Sequence, residues 1–481
     1  MAKSVYRVRA RVAKLVDALD LGSSSLTGVG VQVPPLAPKK EKQVNVCEAA
    51  SLSLDASFNP SGIGKAVVVV PAACVEQAYR YVVCNQVGIV APFGFHQSGV
   101  VPTEYVSTHF KPSLVAHLKE FLLKYAVLSF LYRELRAQKI VLAHEPQLAR
   151  IDLSLGHDAQ FHFVYATAQP VPLRDWRYLP FRPPERKKYK DLDKRAKDFL
   201  QEETVNEEQA PRPYRVEPRD LVSFDIWVAH ESDPNNPAFG TFKENLWLKI
   251  GVDESNEPFQ ELFAHRAVGD IFWSRNRCLQ EYFSSQIDTE YTFGIEIKDI
   301  VPHAFFSLES FKRHFRLKTS KGTHQKLIEV FSCTNDLLLR HAIVENVFDL
   351  LAKHHTVTIP EVSIKQQRDA LLEGLRDDPD YMVYKKETDF DDTVMSLAEK
   401  QLREIALIDA LAYRENVAVC EDDVHCYLTL AQRPRTKEFL YFRHPIINSN
   451  DQEYPTPCEW LKQQCLREKT LNYVINHLTE P

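Results

Sequence analysis

Hydrophobic periodicity changes near residue 304 of this 481-residue chain, and that change limits the folds open to its second half. Over residues 211–303, apolar residues alternate with polar ones, as in Asp220 to Val228, Leu246 to Ile250 and Tyr291 to Ile297. A period of two places apolar side chains on one face of a strand. After the change, apolar residues recur every three to four positions. Leu337, Val344, Val347, Phe348 and Leu351 form one stripe, and Val394, Leu397, Ile405, Ile408 and Ala412 another. That is the period of a helix burying one face. A short helix is predicted from Phe259 to His265, a helix start at Pro360-Glu361, an acidic loop over 377–392 and a last helix from about Pro457 to His477.

The segment before residue 211 mixes both periods. Val44 to Val46, Leu52 to Leu54 and Lys65 to Val70 read as strands. Pro71 opens a helix to Cys84, since proline suits a first helical turn. A long helix is predicted over about 112–138, followed by strands at 140–142, 150–153 and 160–165. Five prolines between 170 and 184 then mark a boundary, and residues 185–210 read as a charged, solvated linker helix with a basic run at Arg186, Lys187, Lys188 and Lys190.

Residues 1–41 stand apart. They hold Gly22-Ser23-Ser24-Ser25, Pro34-Pro35 and a basic beginning, without the apolar run of a signal peptide. The stretch Val12 to Ser24 resembles a translated transfer-RNA gene, so a start assigned too far upstream is one expectation. A disordered tail and a targeting segment are the others.

Composition excludes several classes. Lys and Arg total 59 against 65 Asp and Glu, a net charge of −6, which argues against a chain basic throughout that binds nucleic acid. No stretch approaches about 18 apolar residues without a charge. Nine cysteines without a C-x-x-C pair suit free thiols rather than a zinc knuckle. Phosphate loops, nucleophile elbows and H-x-x-x-H pairs are missing from the sequence, His354-His355 reads as a surface pair, and Asp422-Asp423 reads as the acidic first turn of a helix. No cofactor and no metal site are implied.

The order of these units resembles trigger factor, the ribosome-associated chaperone family, over residues 42–478. Gly94-Phe95-His96-Gln97-Ser98-Gly99-Val100-Val101-Pro102 resembles the family's ribosome-docking loop, with Gly94, Phe95, His96, Gly99 and Pro102 as the contact residues the resemblance implies. His96 stands where the family has arginine and the loop's lysine is lost, so the fixed cations that neutralise phosphates are missing. Val222 to Ile226, Leu246 to Gly251, Asn256-Glu257-Pro258-Phe259-Gln260 and Val268-Gly269-Asp270 resemble an FKBP-type prolyl isomerase. The resemblance implies an isomerase pocket of Phe259, Tyr282, Phe293 and Ile226, the last where the family carries an aromatic; Asn256 replaces an isoleucine. Such a pocket favours the twisted prolyl amide over the planar one by surrounding it with apolar groups. Thr356 to Glu361 and Leu402 to Asp423 resemble the family's helical arms.

The expected architecture is α+β and multidomain: a leader (1–41), an α+β ribosome-binding-like head (42–184), the linker helix (185–210), an FKBP-like β-rich domain (211–303) and helical chaperone arms (304–481). The expected function is an ATP-independent cytoplasmic chaperone for nascent or unfolded polypeptides, docking near the ribosomal exit tunnel, without DNA or membrane partners, and admitting a homodimer. Protein transport and cell division are the cellular settings the resemblance implies. A working prolyl isomerase and a ribosome-independent scaffold are the alternatives. Tyr381, Met382, Tyr384, Phe390, Phe439, Leu440, Tyr441 and Phe442 are the candidates for apolar client spots, with core packing the favoured reading for each.

Overall fold

A computed structural model describes residues 52–59, 62–84, 103–143, 145–168, 173–184, 192–208, 213–229, 244–251, 257–283, 290–332, 334–376, 381–385, 389–443, 448–449, 452–453 and 455–479. It is a mixed, multidomain chain of helices and antiparallel sheets. Residues 1–51, the loop at 94–102, Asn256 and the basic run at 186–190 lie outside the described residues.

The first sheet is built from β1 (Ser53–Phe58), β2 (Ile63–Val70), β3 (Gln147–Asp152) and β4 (Ala159–Ala166), in the order β1-β2-β4-β3. Helices α1 (Ala72–Cys84), α2 (Thr103–His109), α3 (Lys111–Leu122) and α4 (Leu128–Ala137) lie between β2 and β3 in sequence. Ala66, Val68 and Val70 of β2 alternate inward with Phe161, Phe163 and Tyr165 of β4, and all six are buried. The backbone N–H of Ala72 in α1 donates to Asp158 at 2.8 Å, so a distant carboxylate supplies the acceptor that a helix start lacks. The predicted strand at 140–142 reduces to one bridge, Leu142 to Thr167.

The long helix over 111–137 is interrupted by a π turn, Leu123–Val127, which links α3 to α4. Within that turn Tyr125 donates its hydroxyl to the Ile226 carbonyl at 2.9 Å. The wider turn therefore sits where the helix meets the second sheet.

The linker helix α5 (Leu192–Glu208) is present, but it is not solvated all round. Ala196 is buried and Phe199 stacks on Phe331 at 4.2 Å, so one face packs onto the helical tail. The buried Ala196 and the Phe199–Phe331 stack outweigh the charge that predicted a free helix.

The second sheet has five strands. β5 (Leu221–Val228), β6 (Glu244–Lys249), β7 (Ile271–Ser274) and β8 (Phe293–Val301) come from consecutive sequence, with the short helices α6 (Glu257–Phe263) and α7 (Arg277–Phe283) among them.

The tail contains α8 (Leu308–His314), α9 (Ser320–Ser332), α10 (Thr334–His354), α11 (Glu361–Arg376), α12 (Tyr381–Tyr384), α13 (Phe390–Arg414), α14 (Glu421–Ala431) and α15 (Pro434–Lys437). It is not purely helical. A hairpin of β9 (Asn448–Ser449) and β10 (Gln452–Glu453) and a strand β11 (Thr456–Pro457) precede the last helix, α16 (Cys458–Thr479). β11 joins the second sheet, whose order is β11-β6-β5-β8-β7. That sheet is thus completed from beyond residue 303.

Every residue of β5 is buried because both faces of this sheet are covered. On one side Leu221, Trp247 and Val301 pack against Val424, Tyr427 and Leu428 of α14 and Leu461 and Cys465 of α16. On the other, a single apolar core runs from the first sheet through α3 and α4 into the second.

The tail's own core contains a buried carboxyl with a pH signature. Glu404 of α13 accepts from the Tyr441 hydroxyl at 2.7 Å. Burial pushes its carboxyl up from 4.5 to about 7, while Lys400 and Tyr441 pull it the other way. The folded chain holds this proton where the unfolded chain has released it. This contribution to stability is therefore full below about pH 4.5 and is lost as pH rises through about 7. Glu404→Gln is expected to flatten that slope, raising stability at pH 8 by about 2 kcal/mol with little change at low pH. Thermal unfolding across pH checks this; parallel profiles for the two proteins would contradict it.

Candidate functional site

The β5–β8 register brings two of the four predicted pocket residues, Ile226 and Phe293, onto one sheet face. Ile226 lies opposite Ile295, and Phe293 opposite Val228. In an antiparallel pair, residues directly opposite share a face. Phe224, Ile226, Val228, Phe293, Ile295 and Ile297 therefore point the same way. The helices α6 and α7 cover this face, bringing Phe259 from one and Tyr282 from the other into the same apolar core.

Local chemistry fixes these helices. Asn276 accepts from the Cys278 N–H at 3.1 Å, an N-cap for α7, and its amide reaches the Pro258 carbonyl of α6 at 3.3 Å. Gln280 clamps the main chain of Tyr291 from both sides, donating to its carbonyl at 2.8 Å and accepting from its N–H at 2.9 Å. Before β7, Gly269 adopts a φ of +89°, and Asp270 accepts from the Ala267 N–H at 2.8 Å. The turn predicted at Val268-Gly269-Asp270 is held by that bond and by a backbone conformation that glycine adopts without strain. On the opposite face a Cβ at Gly294 would stand 2.2 Å from the Trp227 ring, so only glycine lets this indole lie flat on β8.

Among the described residues the four side chains share one core and are covered. Ile226 and Phe293 are 0% exposed, Phe259 2% and Tyr282 6%. Two parts of the chain cover them. The first is the helix through α3 and α4. Phe121 stacks on Tyr291 with ring centres 5.3 Å apart, Tyr125 packs on Phe283 at 5.1 Å, and His117 Nε2 pairs with the Tyr291 hydroxyl at 2.9 Å. Phe283 in turn stacks on Phe293 at 5.2 Å. The second is the lead into α16, where the Tyr282 hydroxyl donates to the Pro455 carbonyl at 3.3 Å. Sequence reasoning missed both. Phe121 and Tyr125 lie on the stripe of a helix whose partner periodicity does not name, and Pro455 is isolated among polar residues.

Among the described residues, the cysteine of the site is not activated. Burial pushes the Cys278 thiol up to about 12, so it stays protonated at neutral pH. Cys278, Cys420, Cys426, Cys458 and Cys465 are free thiols. What the site offers is an aromatic, water-poor lining with one tyrosine hydroxyl as donor.

Away from this core, apolar side chains reach the surface of the helical tail. Leu338 of α10 is 62% exposed, Val362 of α11 57% and Met382 of α12 63%. Of the spots named from sequence, Met382 is on the surface. Phe390, Phe439, Leu440 and Phe442 pack in the core, the favoured reading for each, and Tyr441 is bonded to Glu404. The side chain of Tyr384 lies outside the described residues.

No family model matches the chain. A curated relative, the trigger factor of Geotalea uraniireducens (strain Rf4), is 20% identical over 429 residues, covering 84% of this chain and 92% of the relative. A solved structure reported under promiscuous substrate recognition in the folding and assembly activities of the trigger factor chaperone covers 89% of this chain and 100% of its own, at 16% identity and a TM-score of 0.34.

Proposed function

We propose that this chain, a divergent relative of trigger factor, is a chaperone that holds unfolded or nascent polypeptides without ATP. The likeness along 84% of the chain carries the reading. The exposed Leu338, Val362 and Met382 on three helices of the tail support it. Scattered apolar contacts of this kind grip exposed hydrophobic segments weakly and at several points, which gives useful avidity without a fixed sequence preference.

The filled pocket argues for holding over prolyl isomerisation. A twisted amide gains from an apolar lining only when the lining is open to it, and Ile226, Phe259, Tyr282 and Phe293 are covered by the chain itself. Docking on the ribosome through Phe95 and its neighbours belongs to this reading too, with affinity lowered by the missing cations. The cytoplasm is the setting it implies. Among the described residues no helix is long and apolar enough to cross a membrane.

The test is aggregation of an unrelated, thermally unfolded protein followed by light scattering. The chain is expected to suppress it at a few-fold molar excess. The variant Leu338→Ser/Val362→Ser/Met382→Ser should need at least threefold more protein for the same effect. Failure to suppress any client overturns the reading. Isomerisation of a chromogenic proline peptide, run beside it, is expected to proceed at the uncatalysed rate; a rate abolished by Phe259→Ala would favour the enzyme instead.

A further inference from the structure

The strand that closes one side of the second sheet is an unusual edge. β11 pairs with β6 at two positions, Thr456 opposite Trp247 and Pro457 opposite Leu246. Pro455, Thr456 and Pro457 are all buried. Two of these three residues are prolines and bring no backbone N–H, so Thr456 supplies the segment's single main-chain donor. Ladder bonding is therefore a weak account of why the segment lies here. The rigid proline backbone is ordered at low entropic cost, and the carbonyl of Pro455 is met by the Tyr282 hydroxyl. Main-chain pairing along a sheet edge, with a side-chain donor for one carbonyl, is how folded domains receive short extended peptides.

We propose that the β6 edge and Tyr282 form a groove for an extended, proline-containing peptide, and that residues 455–457 occupy it in cis, so that a client segment enters only by displacing them. This rests on the reading of Tyr282 as part of a peptide-receiving pocket. The start of α16 is fixed independently of the segment. Glu459 is ion-paired with Arg136 of α4 and lies 3.1 Å from Lys462. Arg136 also donates to the Glu459 carbonyl at 3.1 Å. Residues 455–457 can therefore leave β6 while α16 stays in place. A tether this short keeps the cis segment at an effective concentration in the millimolar range. A free peptide at micromolar concentration loses that competition, whereas a client held on the tail of the same molecule meets it on equal terms.

The experiment uses the full chain and a fluorescein-labelled decapeptide with a central Pro-Thr-Pro, read by anisotropy. The variant Pro455→Gly/Thr456→Ser/Pro457→Gly is expected to bind it at least tenfold more tightly than the unaltered chain. Adding Tyr282→Phe should remove at least two thirds of that gain. A folded variant with unchanged affinity, or a gain indifferent to Tyr282→Phe, overturns the proposal. Should the triple variant not fold, a benzophenone-labelled version of the peptide at millimolar concentration is photo-crosslinked to the unaltered chain. Crosslinks at 244–249 or Tyr282 support the groove, and crosslinks elsewhere or none overturn it. Aggregation suppression on the same samples separates the two readings. Suppression without peptide binding removes the groove and leaves the chaperone, while peptide binding without suppression does the reverse.

Discussion

Asp409→Ala lowers the unfolding free energy of the helical tail by about 3–5 kcal/mol, read by urea titration of the helical signal. Asp409 of α13 accepts two parallel bonds from Arg467 of α16, at 2.9 Å from Nε and 2.8 Å from Nη2, and a third from Gln463 at 3.1 Å. The carboxylate is 2% exposed and the guanidinium 12%. Paired, the two charges satisfy each other in fork geometry. Unpaired, the guanidinium is left in a site with little water, and that orphaned charge accounts for most of the loss. The double variant Asp409→Leu/Arg467→Met is therefore expected to recover much of it, because it removes both charges and keeps apolar volume. A single variant within about 1 kcal/mol of the unaltered chain would mean that water reaches Arg467.

Trp176→Ala is expected to cost about 3–5 kcal/mol and to loosen the connection between the first sheet and the tail. Trp176 is fully buried, edge-on to Tyr473 at 5.8 Å and His477 at 5.3 Å, with its Nε1–H donating to Glu415 at 3.1 Å. Arg177 pairs with the same carboxylate, and Arg414 donates to the carbonyls of Leu173 and Arg174 at 2.9 and 2.7 Å. The segment 173–184 is thus a strap tied to the ends of α13 and α16. Trp176→Phe keeps most of the apolar volume and loses the indole bond, so a smaller cost of about 1–2 kcal/mol is expected. Limited proteolysis gives a second readout: cleavage within 173–184 should become faster in the alanine variant, and equal rates would contradict the strap.

Long elements were legible because their periods repeat. The stripe from Leu114 to Leu131 announced the helix through α3 and α4, and the alternation from Asp220 to Val228 announced β5. Short ones were legible only in part: the seven-residue α6 was expected from Phe259 to His265, whereas β7, α7 and β11 were not. β7 has four residues and points Ile271 and Trp273 outward, so Ile-Phe-Trp shows no alternation of apolar with polar. α7 has seven residues, about two turns, too few for a stripe to stand out. β11 was hidden most deeply, since two residues including a proline carry no strand signal and their partner lies some 200 positions earlier. At the pocket, Ile226, Phe259, Tyr282 and Phe293 fall in one apolar core. What covers them depends on tertiary packing of Phe121, Tyr125 and Pro455, which no local pattern encodes.

Because β11 follows β6 by that distance, the sheet has an order of assembly written into its synthesis. Residues 221–301 leave the ribosome long before Thr456, and until then β6 has no neighbour on its outer side. Closing so long a loop for two rungs of pairing is slow relative to forming the hairpins within the sheet. The growing chain therefore passes through a stage with an unpaired strand margin, the kind of surface on which incomplete proteins stick to one another. Stop codons placed after residue 443 and after residue 479 bracket that stage, and the shorter product is the one whose yield should depend on how crowded it is as it emerges.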